Sequence, residues 1–339
     1  MIIRQNQSLK KMNTFGMDVY SRIFAEIRKV NEFDQLKEYK EFTESPWEIL
    51  GGGSNILYTQ DRDNPVVKVS IPGVKVFSGP GNDVLVKVGS GVVWHDLVVW
   101  SLENKIYGLE NLSLIPGQVG AAPIQNIGAY GVEIKDVFET LEAYTINSGN
   151  LVTMDAYDCS FGYRTSVFKG YEKGKYIITS LTLRLSRTPQ LQLDYGDIRA
   201  TLADMGIKNP SPVDVSKAVI KIRSNKLPDP SEIGNAGSFF KNPEIQLNQY
   251  QKLLNDFPAM PGYPTSTGSI IKVPAGWLID QLGWKGYRKN DAGVHKNQAL
   301  VLVNHGTANG HEIIDLSENI TKSVFEKFGI QLQPEVNIL

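Results

Sequence analysis

The sequence predicts an α+β fold, and three observations predict it. Residues 1–190 are dominated by short apolar runs separated by glycine, proline, asparagine and aspartate. From about residue 190 the apolar spacing shifts from that of strands towards that of helices. Between the two regimes lies Asn209-Pro210-Ser211-Pro212, which reads as a linker, so a domain boundary is expected near 200–212. A chain of 339 residues, 41% hydrophobic and 21% charged, suffices for two or three domains with a substantial core.

Element by element, the runs Trp47–Leu50, Val66–Val69, Val84–Val88, Leu141–Ile146 and Tyr176–Leu185 predict strands. Turn clusters such as Ile71-Pro72-Gly73 and Ser78-Gly79-Pro80-Gly81 bound them. Helices are expected over Glu32–Phe42 and Val93–Leu102. In Asp214–Arg223 the residues Val215, Ala218, Val219 and Ile222 share one helical face, with Asp214 as the expected N-cap. Gly310–Phe328 repeats the pattern with Ile313, Leu316, Ile320 and Val324. No internal repeat or low-complexity tract interrupts this order.

Charge and cysteine content exclude several classes. Net charge is −1, which gives no broad basic field for nucleic acid. The longest apolar runs, such as Ala299–Val303, are too short for a spanning helix, so no membrane insertion is expected. Residues 1–16 lack the apolar core of a secretory signal. The single cysteine, Cys159, excludes an internal disulfide and argues against a thiolate metal site. The cytoplasm is the expected compartment, and no obligate protein partner is evident.

Three segments have the composition to cradle an anion: Gly51-Gly52-Gly53-Ser54-Asn55 after a strand, Ile115-Pro116-Gly117-Gln118-Val119-Gly120, and Asn126-Ile127-Gly128-Ala129-Tyr130-Gly131. Consecutive glycines let backbone N–H groups converge, and Ser54 and Asn55 add side-chain donors. None has the G-x-G-x-x-G spacing of a dinucleotide fold, and none is a P-loop. Each alone is also what a tight turn in a β-rich domain needs. Residues 115–131 together, with Gln125, Asn126 and Tyr130 among small residues, suit a lining pressed against a flat, hydrogen-bonding ligand.

The hydroxyl in Asn235-Ala236-Gly237-Ser238-Phe239-Phe240-Lys241-Asn242-Pro243 has no histidine partner in the sequence, so Ser238 is not expected to act as an activated nucleophile. Arg164, in Phe161-Gly162-Tyr163-Arg164-Thr165-Ser166, is taken alone a surface cation. Arg223-x-x-Lys226-Leu227-Pro228 reads as a helix end with favourable C-terminal charge. Glu335, in Leu332-Gln333-Pro334-Glu335-Val336, lies in an apolar strand-like run, and burial there would raise its pKa. Tyr195-Gly196-Asp197 starts a helix, with Asp197 as a cap. His95 falls in an apolar helix and reads as core. No histidine spacing suggests a metal, and there is no G-x-S-x-G elbow.

Taken together these motifs resemble the UDP-N-acetylenolpyruvoylglucosamine reductase (MurB) family of flavoenzymes. The match runs in order from Asn13-Thr14-Phe15 and Gly51–Asn55 through Ile115–Val132 and Tyr163-Arg164. It continues through Lys226–Pro230, Gly237–Pro243 and Ala275–Gln281 to Pro334-Glu335-Val336. Tyr195-Gly196-Asp197 is similar to the longer, type I branch. The resemblance implies an N-terminal segment over 1–18 and an FAD-binding domain of the PCMH or vanillyl-alcohol-oxidase type, in two α+β lobes, over 19–189. A connecting segment with the substrate tyrosine over 190–211 and a C-terminal α+β substrate domain over 212–339 would follow.

It further implies noncovalent FAD, reduced by NADPH, with hydride passing from flavin N5 to C3 of an enolpyruvyl ether on UDP-N-acetylglucosamine. By this resemblance Gly51, Gly52, Gly53, Ser54, Asn55, Ile115, Pro116, Gly117, Gly120, Gln125, Asn126, Gly128, Ala129 and Tyr130 hold the cofactor. Arg164 and Glu335 stabilise charge developing on the carboxylate, Glu335 as a donor. Ser238 protonates C2. Tyr195, Lys226, Asn242 and Gln298 hold the nucleotide sugar. Two other readings predict differently: an FAD-dependent alcohol or sugar oxidase would turn over without NADPH, and a nucleotide-sugar binding protein would be colourless.

Overall fold

The computed structural model describes residues 1–265 and 268–339. Contacts gather the chain into two compact units. The first is Met1–Gln7, Ser21–Gly52 and Arg62–Arg223; the second is Ser8–Tyr20, Gly53–Asp61 and Ser224–Leu339. The region expected to hold a boundary, 200–212, lies inside the first unit.

Among its described residues the first unit has a two-stranded pair, Gly128–Ala129 with Val132–Glu133, and two larger sheets, each with its own core. The smaller of these two runs in the order Ile2–Ser8, Tyr20–Ile27, Val66–Val69, Glu48–Leu50. Val66–Val69 is parallel to both neighbours. Ile23, Ala25, Ile27, Val67 and Val69 are buried here with Phe33, Leu36 and Phe42. The helix expected over Glu32–Phe42 is instead two short ones, α1 (Glu32–Leu36) and α2 (Lys40–Thr43), with Tyr39 extended between them. At 100° per residue, one continuous helix would set Phe42 opposite Phe33. The break lets Phe33, Leu36 and Phe42 enter one core.

The larger sheet is antiparallel, in the order Leu151–Met154, Phe138–Thr145, Tyr176–Ser186, Asp83–Gly89, Val74–Ser78. Its register follows from period-two burial. Val84, Val86 and Val88 lie opposite Leu185, Leu183 and Leu181, and all six are buried. Against them packs α3 (Trp94–Glu103) through Trp94, Leu97 and Val98. The short α4 (Ala156–Cys159) buries Cys159 in the same core. A third cluster joins α5 (Ile198–Asp204) to α6 (Pro212–Lys226): Ile198 and Leu202 meet Val215, Ala218, Val219 and Ile222. That packing holds most of α6 in the first unit.

Two expected caps differ. Ser211, not Asp214, caps α6: Ser211 Oγ accepts from the Asp214 N–H at 3.3 Å, and the Asp214 carboxylate accepts from the Ser211 N–H at 2.9 Å. Pro212 then takes the first helical position, where its missing N–H costs nothing. Asp197 precedes α5 without a side-chain capping bond; its carbonyl accepts from Thr201 at 2.8 Å.

The second unit holds α7 (Leu247–Asp256), α8 (Ala275–Gln281) and α9 (Gly310–Phe328). One sheet runs Gly234–Asn235, Leu302–Asn304, Ala292–Val294, Arg288–Lys289. Over it lies α9, with Ile313, Leu316, Ile320 and Val324 buried as their spacing predicts. A capping box of Asn309 and Glu312 starts α9. A second sheet runs Glu244–Gln246, Ile270–Lys272, Tyr263–Pro264, and Asn337–Ile338 pairs in parallel with Ile56–Leu57. Two excursions of the N-terminal chain belong here. The Thr14 carbonyl accepts from the Asn235 N–H at 3.0 Å, the Phe15 carbonyl from Asn304 Nδ2 at 3.0 Å, and the Leu339 carbonyl from the Thr59 N–H at 2.8 Å. Among the described residues no helix is long and apolar enough to cross a membrane.

Candidate active site

In the first unit the glycine segments touch backbone to backbone. A Cβ on Gly52 would meet Gly117 Cα at 3.0 Å, so any side chain there would press on the Gly117 backbone. Residues 91–94, leading into α3, splint the second segment. Gln118 Nε2 donates to the Gly91 carbonyl at 3.0 Å, the Val119 N–H to the Val92 carbonyl at 2.9 Å, and the Trp94 N–H to the Gly117 carbonyl at 3.0 Å. Two buried polar atoms here, Gln118 Oε1 and Ser90 Oγ, have no protein partner. A buried acceptor left this way is costly unless something else satisfies it.

The third segment is bound to the Arg164 turn. Asn126 is fully buried and left-handed, and its Nδ2 donates to the Gly162 carbonyl at 3.0 Å and to Glu133 at 3.0 Å. Gly162 and Thr165 close a two-residue turn with paired N–H···O bonds of 3.1 and 3.3 Å. Arg164 sits in that turn at φ +53°. A non-glycine residue held left-handed costs energy and marks a conformation fixed by its surroundings. Ser166 Oγ donates to the Ile124 carbonyl at 2.7 Å, and Lys169 Nζ to Gln125 Oε1 at 3.4 Å. The polar groups expected to line the segment therefore also anchor it: Gln125 and Asn126 are partly committed to protein.

Tyr195 packs beside this segment, within van der Waals reach of Gly131, and is 61% exposed. A further cation, whose sequence context is that of a helix end, lies here. Arg223, near the end of α6, donates from Nε to the Leu114 carbonyl at 3.3 Å. Burial is the main cause lowering its pKa; Tyr130 opposes this and the Arg164 cation adds to it. Arg223 thus belongs to the same neighbourhood as Arg164 and Tyr130. Its signal in the sequence was present, one turn before Lys226, but helix termination explains both residues equally well.

In the second unit Ser238 and Glu335 stand on neighbouring segments. The Glu335 N–H donates to the Phe239 carbonyl at 2.8 Å, and the Lys241 N–H to the Gln333 carbonyl at 2.9 Å. Phe239 and Phe240 are buried, packed edge-on to each other at 5.1 Å, with Phe15 edge-on to Phe239 at 6.4 Å. They are the anchors that fix the serine between them and Gly237. Gly237 has φ +70°, and a Cβ there would meet no protein atom, so the backbone angle is what demands glycine. Ser238 is half-buried and makes no hydrogen bond to another described residue.

Glu335 is half-buried, not buried as its apolar run predicts, because burial falls on its neighbour Val336. Gly53, Ser54 and Asn55 belong to this unit. The Gly53 carbonyl accepts from the Thr14 N–H at 3.0 Å, and Asn55 Nδ2 donates to the Glu335 carbonyl at 3.3 Å. Asn242 and Gln298 line one cavity of about 310 Å³ with Pro274, Trp277, Asp280 and Lys285. Asn242 Oδ1 accepts from the first N–H of α8 at 3.0 Å. Lys226 ends α6, exposed, just before the Leu227-Pro228 turn.

Comparison with known proteins gives these two sets of residues a common frame. Residues 229–339 match the sequence model of the UDP-N-acetylenolpyruvoylglucosamine reductase C-terminal domain, and residues 22–155 that of an FAD binding domain. A UDP-N-acetylenolpyruvoylglucosamine reductase of Flavobacterium johnsoniae is 48% identical over 100% of both chains. The chain belongs to the UDP-N-acetylenolpyruvoylglucosamine reductase family. Another member, from Chromobacterium violaceum, is 47% identical over 99% of this chain and 98% of its own. The crystal structure of the Thermus caldophilus reductase (MurB) shares the fold, with a TM-score of 0.67 over 99% of both chains at 22% identity.

As a UDP-N-acetylenolpyruvoylglucosamine reductase, the protein is an oxidoreductase with FAD as its cofactor. Its first unit fits that group. The first two glycine segments meet there backbone to backbone, and Gln118 Oε1 and Ser90 Oγ are buried polar atoms with no protein partner.

Proposed function

We propose that the protein reduces UDP-N-acetylglucosamine enolpyruvate to UDP-N-acetylmuramate with NADPH, as a step of peptidoglycan synthesis in the cytoplasm. The observation that carries this reading is the pairing of the Glu335 and Phe239 peptides, which sets a carboxyl group beside the segment bearing an unactivated hydroxyl.

Bound FAD, once reduced by NADPH, supplies the hydride that C3 of the enolpyruvyl group receives. Hydride addition pushes negative charge towards the substrate carboxylate. Arg164 stabilises that charge by charge-assisted hydrogen bonding. Glu335 contributes as a hydrogen-bond donor, which requires its protonated form. Ser238 Oγ gives its proton to C2. A serine is a weak acid, but the developing carbanion is a strong base, so no histidine is needed. Hydride at C3 and a proton at C2 together saturate the double bond.

Lys226 offers a cation to the diphosphate, and Asn242 and Gln298 offer amides to the nucleotide sugar from their shared cavity. Tyr195, largely exposed, is available to lie along the diphosphate.

The test is anaerobic. The flavin is reduced, the enolpyruvyl nucleotide sugar is added, and flavin reoxidation is followed by absorbance. Reoxidation with formation of the lactyl ether is the expected result. Reoxidation by oxygen and an alcohol-driven reduction, without response to the enolpyruvyl compound, would mean an oxidase. A colourless protein that does not reconstitute with FAD would mean a binding protein.

A further inference from the structure

The sequence places His95 among core residues, and the reaction above does not use it. We propose that His95 is a positioning residue for the cofactor loop: with Arg223 it clamps the left-handed Leu114 peptide and so holds Ile115–Gly120 in its cofactor-binding shape. The inference rests on the reading that this loop lines the FAD.

Leu114 has φ +58°, an unfavourable angle for a branched side chain. Such a residue persists only where its neighbours over-determine it. Both of its backbone polar groups are held. Its N–H donates to His95 Nδ1 at 3.0 Å, and its carbonyl accepts from Arg223 Nε at 3.3 Å. Just before it, the Trp94 indole N–H donates to the Leu112 carbonyl at 3.0 Å. Just after it, the Trp94 N–H holds the Gly117 carbonyl. Leu114 is therefore the strained point in a segment stitched on both sides to the start of α3. It immediately precedes the Ile115-Pro116-Gly117 stretch that meets Gly52.

The clamp needs a neutral imidazole, with its proton on Nε2 and Nδ1 free to accept. Burial lowers the His95 pKa, the adjacent Asp96 carboxylate on α3 opposes this, and Arg223 from α6 lowers it further. At neutral pH the acceptor is present. Protonation would replace it with an N–H facing the Leu114 N–H, next to the Arg223 cation.

The experiment compares holoenzyme of the wild type, His95→Asn and His95→Leu. Asn places Oδ1 where Nδ1 stands; Leu fills the space without an acceptor. FAD release on dilution is followed by flavin fluorescence between pH 5 and 8. Losing the acceptor that holds the strained Leu114 N–H is expected to weaken FAD retention in His95→Leu by about tenfold or more. His95→Asn should stay within about threefold of wild type at pH 7.5, since one good acceptor replaces another. Wild type should release more FAD as pH falls through the imidazole pKa, and His95→Asn should not show that rise. Equal retention in wild type and His95→Leu, retention in His95→Asn as poor as in His95→Leu, or one pH profile for wild type and His95→Asn would each overturn the proposal. Wild-type protein that never takes up FAD would instead overturn the flavin reading on which it rests.

Discussion

Ser238 owes its place to its neighbours: two buried phenylalanines after it and a left-handed glycine before it. Ser238→Ala leaves that packing intact and is expected to slow flavin reoxidation by substrate about 10²-fold or more, the usual scale for losing a general acid. Stopped-flow reduction by NADPH should be unchanged; equal slowing of both half-reactions would assign the serine a structural role. Glu335→Gln keeps a donor and is expected to retain more activity than Glu335→Ala, measured as kcat. Glu110 offers a pH test away from the chemistry. Burial raises its pKa, although the Gly108 N–H donates to it at 2.8 Å. A raised carboxyl stabilises the fold below its unfolded pKa, and that contribution is lost as pH rises through the folded value. Glu110→Gln, which keeps an acceptor for Gly108, should therefore melt higher than wild type at pH 8, with the difference shrinking as pH falls.

At the scale of elements, local rules account for most of what forms. The burial of Val84, Val86 and Val88 opposite Leu185, Leu183 and Leu181 follows from alternation, and α9 follows from its 3.6-residue stripe. The cap of α6 is a local device that a sequence reading misplaces by one turn. Asp214 is the better-known cap type, but Pro212 at the first helical position leaves Ser211 as the cap and puts Asp214 where it closes the box. Ser211→Ala should destabilise the protein by about 1 kcal/mol in denaturant unfolding, the typical cost of a lost N-cap. The split of α1 from α2 obeys no local rule. It arises because three apolar side chains 3 and 6 residues apart must reach one core.

At the scale of the molecule, FAD should couple to stability by mass action. Free FAD at 100 times its dissociation constant adds about 2.7 kcal/mol, so stripping the flavin should lower the thermal midpoint, and added FAD should restore it. A midpoint indifferent to FAD would mean that the flavin binds folded and unfolded chain alike.

By itself the sequence determined the α+β class, five of the strands, the helices α3, α6 and α9, the glycine segments and the run of motifs that resembles a reductase family. These are legible because periodicity, turn chemistry and spacing are local. Only the tertiary structure decided that Ser8–Tyr20 and Gly53–Asp61 join the C-terminal unit, through hydrogen bonds of their backbone to the Asn235 and Leu339 peptides and the Asn304 side chain. It alone paired Glu335 with the segment of Ser238, nearly a hundred residues earlier, and set Arg223 and His95 on either side of the Leu114 peptide. Such contacts join groups far apart in the chain, and nothing in the local pattern of either partner names the other.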